Sequence, residues 1–142
     1  MVTKKYLAIA LAFICWPGMT ALVNHIEITE SGIAYEGRNQ TEQEGCKLFK
    51  PSEQEVADYF SQAASMKEGG QAGKKYFSPC ITTGKVAFAD DRSGSFTLQS
   101  SGFASVTFGD KEVTYFFRKN NPWVDPFQCS YAMGDEAEPG CE

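Results

Sequence analysis

The sequence predicts an α+β fold: an antiparallel β-meander of about four strands, one or two strands before it, and one main α-helix packed on it, braced by disulfides. Three observations predict this fold. Apolar and polar residues alternate between Gly84 and Arg118, a helix-capping signal begins at Ser52, and cysteines are spread along the chain. At 142 residues the chain has room for a single domain of this kind.

The stretch from Gly84 to Arg118 has the period of a strand with one buried face, because side chains two residues apart share a face. Turn-forming residues divide it at 90–94, 100–102 and 109–110. Phe116 is out of phase with Phe117, so one of this pair should lie on the other face of the sheet. The apolar residues in phase are Val86, Phe88, Phe96, Leu98, Val106, Phe108, Val113, Tyr115 and Phe117.

Elements before the meander follow from shorter patterns. Alternation after His25 predicts a half-buried strand, a turn at Ser31 and Gly32, and a second short strand ending at Tyr35. The polar segment 36–45 has no apolar period and predicts an exposed loop.

The main helix is predicted from Ser52 to Ser65. Ser52 with Glu55 three residues later forms a capping-box pair, and Val56 and Phe60 begin an apolar stripe that can lie on the sheet. The glycine-rich segment 67–75 predicts a flexible loop. It lacks the preceding strand and following helix that a phosphate-binding P-loop requires.

The N-terminus predicts export. Lys4 and Lys5 precede the apolar run Tyr6 to Cys15, which is the layout of a signal peptide. We therefore predict a signal peptide over 1–21 and a single α+β domain over 22–142 with a loose acidic C-terminal tail. The alternative is a retained anchor, since 6–23 is close to the minimum of about 17 residues that spans a bilayer.

Cysteine usage agrees with a periplasmic or secreted location. After the signal segment the even set Cys46, Cys80, Cys129 and Cys141 predicts two disulfides, and three pairings are open. No CxxC pair is present and His25 is the only histidine, so the usual zinc ligands are lacking. The sequence predicts no metal and no cofactor.

Charge limits the classes of partner. The net charge of the whole chain is −5. Removal of the signal peptide would remove Lys4 and Lys5, so the mature part would contain 11 basic and 18 acidic residues and have a net charge of −7. Nucleic acid is excluded as a partner because phosphate recognition needs a cationic surface. An acidic protein suits a basic protein partner, and a membrane contact is expected only if the N-terminal segment is retained.

Catalytic patterns are weak. A Ser/His or Cys/His enzyme would depend on His25, close to the mature N-terminus where chain ends are often mobile, so we predict that the chain is not an enzyme. Asp125 could serve a small carboxylate-dependent hydrolase together with a second acid. The interpretation that we favour is structural, with Asp125 accepting backbone N–H groups within its turn.

The loop 119–131 provides the candidate binding residues Trp123, Asp125 and Phe127. In a proline-bracketed loop Trp123 could present an aromatic surface to a partner, or it could fold back with Phe127 over the end of the sheet. The leading hypothesis is an exported binding protein of the cell envelope, of the inhibitor or immunity kind, that blocks a protein partner such as a basic enzyme or toxin. The alternatives are the hydrolase and a structural or assembly component of the envelope.

Overall fold

A computed structural model describes residues 22–130. The predicted signal peptide, the acidic tail and Cys141 lie outside this range. All strand pairs in it are antiparallel, and six strands form one sheet in the order β1-β3-β4-β5-β6-β2. The elements are β1 (Val23–Ala34), α1 (Gln40–Cys46), α2 (Glu53–Gln62), β2 (Ala64–Met66), α3 (Gly70–Lys75), β3 (Cys80–Phe88), β4 (Ser93–Gln99), β5 (Phe103–Phe108) and β6 (Val113–Phe117).

The inner face of the sheet packs against α2. Phe60 of α2 makes edge contacts with the rings of Phe88, Phe96 and Phe116 at centroid distances of 6.2, 5.3 and 5.3 Å. The predicted capping box is present. The Ser52 hydroxyl accepts from the Glu55 N–H at 3.1 Å, and the Glu55 carboxylate accepts from the Ser52 N–H at 3.0 Å. The helix ends at Gln62 and not at Ser65, because Ala64–Met66 pairs with β6 as an edge strand.

The phase predicted for β6 is wrong. Val106 pairs with Thr114 and Ala104 pairs with Phe116, so Phe116 is the residue that points into the core. Tyr115 and Phe117 lie on the outer face instead. The hairpin at 109–112 sets this register, and the alternation of β6 alone could not show it.

The outer face explains why the glycine-rich segment is helical. Here Phe103 stacks on Tyr115 at 5.7 Å, and Tyr76, which follows α3, lies 4.8 Å from Phe117. A Cβ at Gly73 would lie 3.0 Å from the Phe103 ring, so the absence of a side chain lets α3 lie against this ring. The flexible loop predicted for 67–75 is thus largely a short helix held by packing.

Two further predictions at the N-terminal side are corrected. β1 continues through the predicted turn at Ser31 and Gly32. Gly32 adopts φ +65°, and the pairing register between β1 and β3 shifts on either side of Glu30, so the strand accommodates the irregular backbone without ending. The segment predicted as a loop at 36–45 contains α1, capped by Asn39, whose side-chain oxygen accepts from the Glu42 N–H at 2.9 Å.

A disulfide joins Cys46, the last residue of α1, to Cys80, the first residue of β3, with the Cα atoms 4.9 Å apart. Disulfide bracing was predicted, and this is one of the pairings that the sequence left open. Cys129 is also disulfide-bonded. The Cys46–Cys80 bond fastens a seven-residue helix, which would not be stable alone, to the sheet.

Candidate functional site

The loop after β6 folds across one end of the sheet, where β1, β4 and β6 end and β3 and β5 begin; we call this the disulfide end. Trp123 lies in the core there, 8% exposed, with its ring 5.7 Å from Phe49 and 5.8 Å from Tyr59. Its indole N–H donates to the Ser100 carbonyl oxygen at 2.9 Å. Trp123 therefore covers the end of the sheet, and little of its ring is left for a partner to contact.

Asp125 holds the loop to the sheet. Its Oδ1 accepts from the Ser100 hydroxyl at 2.8 Å and from the Phe127 backbone N–H at 3.3 Å. The Ser100 Oγ lies 2.6 Å from the Oγ of Ser78. Both serines are buried, and their hydroxyls hold the loop and the start of β3 in position.

The polar network continues towards β1. The Ser78 N–H donates to Gln99 Oε1 at 2.8 Å, and the Gln99 amide donates to the Tyr35 hydroxyl at 3.2 Å. Burial raises the pKa of Tyr35 above its ordinary value, against the opposing effects of the Gln99 hydrogen bond and the Arg38 charge. Tyr35 thus stays protonated at neutral pH, and the network links the candidate loop to the edge strand.

A pocket of about 80 Å³ lies between this loop and the β4–β5 turn. Of the described residues that line it, Asp125 is the only carboxylate, so no second acid stands beside it for hydrolysis. Phe127 does not line the pocket; its ring lies against α1, 3.0 Å from where a Cβ of Gly45 would be. The lining residues are Tyr76, Ser100, Ser101, Lys119, Asn120, Asn121, Trp123, Asp125 and Gln128.

Two lining residues, Ser101 and Asn121, were not singled out from the sequence. Within 22–130, Ser101 Oγ and Asn121 Oδ1 are buried polar atoms without a hydrogen-bond partner. The Asn121 amide nitrogen donates to the Arg118 carbonyl at 2.7 Å, which fixes the orientation of the side chain. In the sequence both residues look like ordinary turn formers, and their place in one pocket depends on long-range packing.

Three apolar side chains on segments that reach the disulfide end are exposed, Leu48 by 63%, Phe77 by 39% and Val124 by 58%, and we call these three the apolar rim. Leu48 and Val124 adjoin Phe49 and Trp123, whose rings touch, and Phe77 precedes the buried Ser78. The three side chains belong to segments that are distant in sequence, and the Phe77 ring is stacked on Tyr35 at 5.7 Å with the Arg38 guanidinium 4.9 Å from its centre.

No family model, curated protein or solved structure matches this chain. Within residues 22–130 there is no cluster of three or more His, Cys, Asp or Glu side chains that could hold a metal ion. The helices in that range are also too short or too polar to cross a membrane. The disulfide is typical of proteins that fold outside the cytosol.

Proposed function

We propose that the chain is an exported binding protein of the cell envelope, of the inhibitor or immunity kind, which blocks a protein partner and has no catalytic activity. The apolar rim is the observation that favours this function. Leu48, Phe77 and Val124 are exposed apolar side chains on segments that reach one end of the sheet, and exposed apolar surface beside polar groups is typical of protein-binding sites.

The rigidity of the disulfide end supports the proposal. The Cys46–Cys80 bond, the Trp123 hydrogen bond to Ser100 and the carboxylate of Asp125 all fix the segments that bear the rim. A surface that is already ordered loses less conformational entropy on binding, so more of the contact energy appears as affinity.

Charge favours a basic partner such as a cationic enzyme or toxin. The predicted mature chain has a net charge of −7, and the resulting field would speed the approach of a positively charged protein. In this proposal residues 1–21 direct the chain to the periplasm or the exterior and are then removed.

The surroundings of Asp125 favour binding over hydrolysis. Its carboxylate accepts two hydrogen bonds that position the loop, and the pocket offers no second carboxylate among the described residues. Among the described lining residues there is thus no pair of carboxylates that could share general acid and base roles.

The test is recovery of a stoichiometric complex from envelope extract at low salt, measured by native mass spectrometry with the full chain as bait. We expect the partner to be retained by the parent chain and lost from the Leu48→Ser/Val124→Ser variant. Val113→Ser is the matched control, because Val113 is 36% exposed at the opposite end of the sheet. Equal recovery by all three chains, or no stoichiometric partner, would refute the proposal.

A further inference from the structure

We infer that the disulfide of Cys129 joins it to Cys141 and is the site of thiol–disulfide exchange in this chain, while the Cys46–Cys80 bond does not react in the folded state. The reactant is a thiol, and the reaction would free the acidic segment 131–142 from its covalent tie to the loop after β6. The inference rests on the removal of residues 1–21, which is part of the proposed function, and it does not depend on the partner.

The pairing follows from the cysteines that remain. The chain has five cysteines, at 15, 46, 80, 129 and 141. Cys46 and Cys80 are bonded to each other, and Cys129 is disulfide-bonded as well. The partner of Cys129 is therefore Cys15 or Cys141. Cys15 belongs to the predicted signal peptide, so Cys141 is the partner that the mature chain retains.

The two bonds differ in their access to solvent. Cys46 and Cys80 are both 0% exposed and belong to the core cluster. Cys129 is exposed, in the 3₁₀ turn Gln128–Ser130, which contains no buried residue. Exchange begins when a thiolate reaches a sulfur of the bond. An exposed bond can therefore react in the folded chain, whereas a buried one reacts only after local opening.

The core does not depend on the Cys129 bond. The loop that precedes Cys129 is also held to the sheet by the indole hydrogen bond of Trp123 and by the carboxylate of Asp125. Cys129 and Cys141 are twelve positions apart, against 34 for the other pair, and closing a shorter loop stabilises a fold less. Opening this bond should therefore leave the sheet and its core intact.

The exchange is a two-electron reduction of the protein bond. A thiolate of the reductant attacks one sulfur, forms a mixed disulfide and displaces the other cysteine as a thiolate, which takes up a proton from water. A second thiol group of the reductant then attacks the mixed disulfide. It releases the first cysteine as a thiol and leaves the reductant oxidised to its own disulfide. Cys129 and Cys141 are thereby reduced, and two thiol groups of the reductant are oxidised.

The experiment is a disulfide map of the chain purified after export, before and after brief exposure to low concentrations of dithiothreitol under native conditions. Iodoacetamide traps free thiols, and trypsin releases the fragments 39–47, 76–85 and 120–142, of which the last contains both Cys129 and Cys141. Before reduction we expect 39–47 linked to 76–85, and 120–142 lighter by two hydrogen atoms than its dithiol form. In the native chain 120–142 should then become alkylated at both cysteines, faster than the linked pair by about tenfold or more.

Two variants and one fluorescence measurement sharpen the result. Cys129→Ser should free one thiol, at Cys141, that reacts with iodoacetamide before any reductant is added. The matched control Cys129→Ser/Cys141→Ser should lose the fast reduction and keep the slow one of Cys46–Cys80. Once residues 1–21 are removed, Trp123 is the remaining tryptophan, so its fluorescence reports whether the disulfide end stays folded during the fast reduction.

The outcomes separate this inference from the proposed function. Equal reduction rates for the two bonds, a dithiol in 120–142 before reduction, or unfolding of the Trp123 region with the fast step would each overturn the inference, even when the partner complex forms. A link between 120–142 and 6–38 would make Cys15 the partner, which refutes the inference together with the removal of residues 1–21. The expected map without any partner complex would leave the inference standing and remove the proposed function.

Discussion

The indole nitrogen of Trp123 and the carbonyl oxygen of Ser100 are 2.9 Å apart and form the hydrogen bond that closes the disulfide end of the sheet. Trp123→Phe would leave that buried carbonyl without this donor and would leave space beside Phe49 and Tyr59. We expect the free energy of unfolding to fall by about 2–4 kcal/mol, measured by urea denaturation. Val124→Ala, next in sequence but exposed, should change it by less than about 0.5 kcal/mol; equal effects would contradict the core role of Trp123.

The Cys46–Cys80 bond closes a loop with a sequence separation of 34 residues. Replacing both cysteines by alanine should lower the free energy of unfolding by about 3–4 kcal/mol, mainly through the greater freedom of the unfolded chain. Substitution is preferable to reduction here, because a reductant would also attack the disulfide of Cys129. Urea denaturation measures the change, and an unaltered midpoint would show that the bond does not brace the fold.

Burial of the Tyr59 hydroxyl should make the free energy of unfolding decrease at alkaline pH. Burial raises its pKa well above the ordinary value of 10.0, and its hydroxyl donates to the Gly102 carbonyl at 2.7 Å. The folded chain therefore keeps a proton that the unfolded chain releases above about pH 10. The stabilisation is complete below that pH and is lost as the pH rises towards the folded pKa, by up to about 1.4 kcal/mol per pH unit.

The variant Tyr59→Phe separates this effect from other alkaline transitions. At pH 8 it should be less stable by about 1–2 kcal/mol, because the buried Gly102 carbonyl loses a donor. Between pH 10 and 11.5 its stability should decline less steeply than that of the parent chain. Parallel declines in urea denaturation would assign the pH dependence to other groups.

Gly102 occupies a position that a side chain cannot enter. Its φ is +95°, and a Cβ there would overlap the carbonyl oxygen of Arg118. Gly102→Ala should therefore destabilise the fold by about 2 kcal/mol or more. Gly109→Ala, in a turn with open space around the added methyl, is the control and should cost less than about 1 kcal/mol; similar thermal midpoints for the two variants would refute the prediction.

Local patterns were sufficient for the parts of the fold that short-range physics determines. The inward residues of β3, β4 and β5 follow from strand alternation, and the start of α2 follows from Ser52 and Glu55. The helices α1 and α3 could not be found in this way. One is fastened by Cys46, the other lies against Phe103, and both supports come from distant parts of the chain.

The candidate site shows the same division. Trp123 and Asp125 could be singled out because prolines and an unusual carboxylate mark their loop, although the sequence could not decide whether Trp123 lies in the core. Ser101 and Asn121 could not be found, because an unpartnered atom is a property of the assembled pocket. Phe127 was grouped with the others by sequence proximity, but its ring lies against Gly45.

The irregular course of β1 also affects how the molecule behaves among its own copies. β1 is an outermost strand of 12 residues, long enough for another chain to extend the sheet by hydrogen bonding along it. The break in register around Glu30 and the left-handed Gly32 interrupt that row of donors and acceptors, and the glutamates at 27 and 30 add repulsion between like copies. This irregular border therefore protects the chain against sheet-to-sheet association of its own copies.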